Sequence, residues 1–228
     1  MNRQIVLDTE TTGLDPNNGE KIVEIGAIEL RNFIPTENFF HVYLNPEKTM
    51  PLSAFKVHGL SNDFLKDKPL FKEIADDFLN FILEDQLIIH NANFDINFLN
   101  YELKKVDKKL IGFNRVIDTL EISKNKYPGT KVSLDALTRK FNITEFDRTL
   151  HGALLDCKIL SKIYLELIGG KQPNLSFSNP DNEKKIKDEN KLINLINNSE
   201  RTFNLTIEEK ESHKNFVNKF KTKYSWKL

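Results

Sequence analysis

The sequence predicts an α/β domain built on a mixed sheet flanked by helices, followed by a polar tail. Three observations lead there. Three apolar, strand-like runs with short links lie within residues 5–44. Beyond residue 70, runs at helical spacing alternate with further short apolar strands. After Gly170 the composition turns to Asn, Lys, Glu, Asp and Ser.

Residues 5–10 read as the first strand, Ile5-Val6-Leu7 running into Asp8-Thr9-Glu10, closed by Thr12-Gly13. A second is expected at 22–30, where Ile22, Val23, Ile25, Ala27 and Ile28 dominate, and a third at 39–44, ended by Asn45-Pro46. Their short links suit an antiparallel meander. Phe71, Ile74, Phe78 and Ile82 give a helix over 71–83, followed by an apolar strand at 86–90. A helix from about 94 to 106 and a short strand near 115–118 come next. Helices at 133–141 and 152–168 complete the domain, with Gly169-Gly170 capping the last. No internal repeat is visible. Residues 178–200 read as a flexible linker, and 207–220 regain a weak amphipathic pattern through Ile207, Phe216, Val217 and Phe220.

Length and charge bound the function. The 228 residues allow one substantial domain and an appendage, and the hydrophobic share of 39% fits a normal core diluted by a polar tail. Formal charge is zero, which argues against a protein that coats long stretches of nucleic acid. It leaves room for an enzyme that grips a few terminal nucleotides. Residues 171–228 hold 12 Lys/Arg and 8 Asp/Glu, so the tail carries +4 and residues 1–170 carry −4. An acidic body suits bound divalent cations, and the tail suits docking. The lone Cys157 excludes an internal disulfide and fits a reducing cytoplasm. The run Ile5–Leu7 is too short for a signal peptide, and no apolar stretch nears the ~20 residues of a membrane span. The expected location is cytoplasmic.

The acidic residues carry the chemistry. Asp8 and Glu10 sit two apart on a strand, so both carboxylates share one face and form a natural site for Mg²⁺ or Mn²⁺. Spacing alone is weak, because Glu209-Lys210-Glu211 repeats it on a solvated surface. Asp95 lies where a helix N-terminus would satisfy it. Asp156 is more telling. It aligns with Leu160, Ile163 and Leu167 on an apolar stripe, where a carboxylate requires a cationic side chain or a metal beside it. His151 lies five residues earlier, off that face, and must sit in the turn before the helix to share a site with Asp156. The same His-x4-Asp spacing recurs at His58…Asp63 and His90…Asp95, so spacing cannot select the catalytic histidine.

Three motifs then occur in order: Asp8-Thr9-Glu10-Thr11-Thr12-Gly13, His90-Asn91-Ala92-Asn93-Phe94-Asp95 and His151-Gly152-Ala153-Leu154-Leu155-Asp156. The ordered set resembles the exonuclease family with four carboxylates and one histidine, written DEDDh. The likeness extends through Phe55-Lys56-Val57-His58-Gly59, Asp118-Thr119 and Ser133–Leu137, and it is closest to the proofreading subunits of bacterial replicative polymerases. That resemblance implies a ribonuclease H-like fold over residues 1–170 and hydrolysis of the 3′-terminal phosphodiester with release of nucleoside 5′-monophosphates. It implies two divalent cations, Mg²⁺ or Mn²⁺, held by Asp8, Glu10 and Asp156, with Asp95 completing the second site. His151 takes the proton of the attacking water. Asp8 and Glu10 also face the substrate, His58 contacts it, and Val57 wedges against the terminal base. Ser53 stands where close relatives carry a Glu, and is the one departure. Selection of mispaired ends follows from fraying, since only a single-stranded or frayed DNA 3′ end enters such a site.

The tail is expected to dock. Gln172-Pro173-Asn174-Leu175-Ser176-Phe177 places Leu175 and Phe177 behind a polar Gln172, a pattern that fills a pocket on a partner and resembles sliding-clamp-binding peptides. Residues 206–228, with Phe216 and Trp226, resemble a segment that binds the DNA polymerase III alpha subunit. Some relatives also bind a small theta subunit. Two rival functions share these features: an RNA 3′-trimming exonuclease, for which such a tail has no evident use, and a non-catalytic adaptor between polymerase and clamp. Cys157 reads as a small core residue.

Overall fold

The structure is a computed structural model, described here for residues 3–144, 150–169 and 206–219. The chain divides into two units, Met1–Pro173 and Asn174–Leu228. In the first, β1 (Arg3–Thr11), β2 (Ile22–Arg31) and β3 (Ile34–Tyr43) form an antiparallel meander. Strands β4 (Gln86–Ile89) and β5 (Val116–Asp118) add parallel to β1's other side, giving one five-stranded mixed sheet in the order β3-β2-β1-β4-β5. Helices α1 (Leu52–His58), α2 (Asn62–Leu65), α3 (Phe71–Ile82), α4 (Ala92–Lys105), α5 (Thr119–Lys126), α6 (Leu134–Lys140) and α7 (Ala153–Leu167) complete this unit.

Alternation along the strands decides which helix covers which face. Ile5 and Leu7 of β1 join Phe71, Phe78, Ile82, Phe98 and Leu99 in one buried cluster under α3 and α4. Val6 joins Ile28, Leu30, Leu137, Ile159, Leu160 and Ile163 in a second cluster under α6 and α7. Covered on both faces, β2 is buried along all but its last residue, which is why its sequence reads as a near-continuous apolar run.

The described elements match the expected mixed α/β order. Strand β3 begins at Ile34 rather than near residue 39, because its solvent-facing Thr36, Glu37 and Asn38 hide an edge strand in a polar stretch. Sequence periodicity also passed over α1, α2 and α5, which are eight residues or fewer and bury at most two side chains each. Their starts are instead local: Ser61 accepts from Phe64 N, and Asp118 accepts from Leu120 N. In the second unit, residues Ile207–Lys219 form α8, in agreement with the amphipathic pattern read there. Phe216 falls on this helix. Gln172, Leu175, Phe177, Trp226 and the expected linker at 178–200 lie outside the described residues.

Candidate active site

Strand alternation sends Asp8 and Glu10 to the α7 face of β1 and Thr9 to the α4 face. Opposite Asp8 in the β1–β2 register stands Gly26. A Cβ built there would lie 2.5 Å from Ala153 C and Leu154 N, so the absence of a side chain lets the first turn of α7 rest directly on the sheet. That close approach delivers Asp156 to Glu10. Asp156 is buried in the first turn of α7, and His151 sits in extended chain just before the Gly152 cap, as the helical geometry requires. The His151 Nδ1 lies 3.5 Å from Asp156 Oδ2. Glu10, His151 and Asp156 each present a ligand atom, and these atoms all lie within 4.8 Å of one another.

Asp95 approaches from the other face. The left-handed Asn91 (φ 70°) turns β4 sharply into α4, which puts Asp95 in the first helical turn. Its Oδ1 accepts from Thr9 N at 2.9 Å and Thr9 Oγ1 at 2.7 Å. Burial pushes its carboxyl up to about 7, the two Thr9 bonds pulling the other way and Asp118 adding to the rise. A cation beside Asp95 would reverse that rise. Asp8 is half-buried and, like Asp95, lies outside the compact Glu10–His151–Asp156 cluster.

The buried Cys157 registers the field of the whole group. Its thiol is raised well above the ordinary range, first by burial and then by the charges of Asp8, Asp156, Asp95 and Glu24. Its Sγ donates to Gly26 O at 3.2 Å, as a small core residue does. Carboxylates from β1, β2, α4 and α7 thus all act on this one buried thiol. So much like charge in low-dielectric surroundings calls for a cation.

The structure separates the three His-x4-Asp pairs. His90 Nδ1 is held by Thr119 Oγ1 at 2.9 Å, while the neighbouring Asp118 accepts from Asn91 N and Ala92 N. The Asp118-Thr119 motif therefore braces the starts of α4 and α5. Asp63 is exposed at the surface of α2, away from the buried His58. His58 Nδ1 accepts from Leu60 N at 3.1 Å, which leaves its proton on Nε2 beside the Thr11 backbone. Burial lowers its basicity, with the Thr11 backbone and the charge of Glu24 opposing the shift. The α1 end and the loop before α7 are joined: His151 N donates to Val57 O at 3.1 Å, and the Leu150 side chain packs over Gly59.

A cavity of about 320 Å³ opens beside Glu10, walled by Ser53, Val57 and His58 of α1, Leu14 of the loop after β1, and Phe94 of α4. All the substrate-facing residues read from sequence, except Asp8, thus meet in one recess. Sequence reasoning passed over Thr9, Phe94, Leu14 and the pair Glu24–His41, whose carboxylate and ring nitrogen lie 2.8 Å apart. Glu24 is opposite Glu10 in register and 2% exposed. A lone carboxylate inside the apolar run Ile22–Ile28 was the signal that could have revealed it.

A family model described as "Exonuclease" matches residues 5–164. A protein of Rickettsia felis named DNA polymerase III subunit epsilon is 48% identical over 222 residues, covering 94% of this chain and 95% of that protein. Its Escherichia coli counterpart of the same name is 47% identical over 185 residues, covering 78% and 76%. Among solved structures, the nuclease domain of 3′hExo, a DEDDh family member bound to rAMP, superposes with a TM-score of 0.64 at 18% identity, covering 75% of this chain and 93% of that one. Exonuclease X in complex with 5′ overhanging duplex DNA gives 0.59 at 23% identity, covering 74% and 92%.

Proposed function

Because the chain belongs to the DNA polymerase III epsilon-subunit family of exonucleases, we propose that it is the 3′→5′ proofreading exonuclease of a replicative DNA polymerase. It hydrolyses the 3′-terminal phosphodiester and releases nucleoside 5′-monophosphates. The observation that carries this reading is the Glu10–His151–Asp156 cluster beside a 320 Å³ cavity, a volume suited to a small ligand such as one nucleotide.

The donor set fits hard divalent cations. Glu10 and Asp156, with Asp8 beside them, would hold two ions, Mg²⁺ or Mn²⁺, and Asp95 would serve the second. Such ions, when bound, supply charge to the attacking and departing oxygens of an in-line displacement. The chain's own groups do the rest. His151, 41% exposed and hydrogen-bonding distance aside still close to Asp156, accepts the proton of the attacking water. His58 contacts the terminal nucleotide, and Val57 packs against its base. Ser53, on the same wall, offers a hydroxyl where relatives offer a carboxylate. A paired primer end must fray to enter, so mispaired ends are removed first.

On this reading residues 1–170 are the nuclease and residues 171–228 the docking segment. Gln172, Leu175 and Phe177 bind the sliding clamp, and Phe216 and Trp226 the polymerase alpha subunit. Tethering keeps the acidic nuclease body at the primer end.

The test is a 5′-labelled primer with a mismatched 3′ end, incubated with the protein and Mg²⁺ or Mn²⁺. A ladder shortening from the 3′ end, absent in Asp8→Ala and in chelator, is the expected result. Folded wild-type protein that shortens nothing with either metal would leave only the adaptor.

A further inference from the structure

A second groove, of about 490 Å³, begins where the terminal-nucleotide cavity ends. Leu14 and Phe94 line both, so these two side chains form the partition between them. Past the partition the groove follows α4. Phe94, Asn97, Tyr101 and Lys104 fall at offsets of 0, 3, 7 and 10, one stripe of a helix, and all four line it. The opposite wall is the turn after β1, whose Asp15 carboxylate accepts from Asn17 N and Asn17 Nδ2.

We propose that this groove is a second subsite, which holds the nucleotides preceding the scissile bond. The proposal rests on the exonuclease reading above and extends it along the substrate.

Continuity is the first argument: a strand whose last nucleotide fills the first cavity must leave it across Leu14 and Phe94. Composition is the second. Tyr101 is half-buried with the Lys105 ammonium over one face, 4.1 Å from its ring centroid, so the ring is held in place and a base would stack on its other face. Charge is the third. Lys105, Lys108 and Lys109 are paired with Glu102, Asp76 and Glu84. Among the described residues Lys104 makes no ion pair, and it is the cation that lines the groove. A phosphate would complete it. Asn97 is exposed on the same stripe and offers an amide to a sugar or base edge. The mode is sequence-tolerant, as removal of any mismatch requires.

Two substrates separate the subsites. The p-nitrophenyl ester of thymidine 5′-monophosphate reaches only the terminal cavity, whereas a dT oligomer spans both. Tyr101→Ala and Lys104→Gln are each expected to lower the preference for oligomer over ester, measured as the ratio of kcat/KM values, by about tenfold. The loss should appear in KM. Tyr101→Phe should restore the ratio, since the ring and not the hydroxyl stacks. Lys104→Gln should also flatten the log–log salt dependence of oligomer binding by about 0.7, the value for one phosphate contact on a single strand. Variants with wild-type ratios and salt slopes, in an enzyme that cleaves both substrates, would overturn the subsite and leave the exonuclease reading intact. Wild-type protein that cleaves neither would overturn both.

Discussion

Substituting Gly26 by Ala tests whether the site depends on the contact between sheet and helix. The new methyl carbon would lie 2.5 Å from Ala153 C and Leu154 N, both backbone atoms that cannot rotate away. Ordinary van der Waals contact starts near 3.4 Å, so the first turn of α7 must retreat by about 1 Å. That turn holds Asp156 and the Gly152 cap that follows His151. Overpacking of this kind costs about 1–3 kcal/mol of stability. A misplacement of 1 Å in a reacting constellation costs about 100-fold in rate, or about 2.7 kcal/mol of transition-state free energy. The assay is initial-rate removal of the 3′-terminal nucleotide at saturating divalent cation, with thermal melting in parallel. Gly19→Ala is the control. Gly19 caps a 3₁₀ turn, Pro16–Asn18, at φ 80° with nothing within 4 Å of a new Cβ, so Gly19→Ala loses about 1 kcal/mol through the left-handed backbone and leaves α7 in place. Slow Gly26→Ala and normal-rate Gly19→Ala, at similar melting temperatures, are expected. A Gly26→Ala enzyme with more than half the wild-type rate would refute the reasoning, because the helix would then have room that the structure denies it.

Three other outcomes are expected. Mn²⁺ should raise the melting temperature of the wild type by binding the folded acidic cluster, and the gain should vanish in Glu10→Gln and Asp156→Asn, as differential scanning calorimetry would record. Thr9→Val removes the hydroxyl donor from the buried Asp95 carboxylate while leaving the backbone donor; a loss of about 1.5–3 kcal/mol in urea unfolding is expected, with Thr9→Ser close to wild type. Glu29 is held down to about 2 by its bonds to Arg31 and Arg3, so its contribution is fully present above its unfolded value near 4.5 and is lost as pH falls toward 2. Glu29 is buried, but its partner Arg31 is 47% exposed and solvent screens that pair, which reduces the contribution to about 1 kcal/mol. The difference in stability between wild type and Glu29→Gln should therefore shrink as unfolding is followed from pH 6 down to pH 2, and a pH-independent difference would contradict the pairing.

What sequence reveals about this protein depends on how local the determining contact is. The two cores were legible because each is written as periodicity: Ile5 and Leu7 alternate with Val6, and Leu160, Ile163 and Leu167 recur along α7. Helix α1 was not legible, since of its seven residues only His58 is buried and no apolar stripe marks it. The edge of β3 was hidden for the same reason, its outer half being paired through backbone bonds that any side chain permits. At the site, Asp8 and Glu10 could be placed on one face from spacing alone, and Asp156 could be flagged by its apolar company. The choice among three equally spaced histidines could not be made from spacing. It depends on partners distant in the chain: Thr119 occupies His90, the turn to Leu60 occupies His58, and Val57 O anchors the backbone of His151. The last of these contacts ties the loop before α7 to the end of α1, so His151 and the α1 wall of the cavity are positioned by one hydrogen bond. Residues 57 and 151 share no pattern in the sequence, because their proximity is created by the packing of α7 on Gly26 and not by anything within either segment.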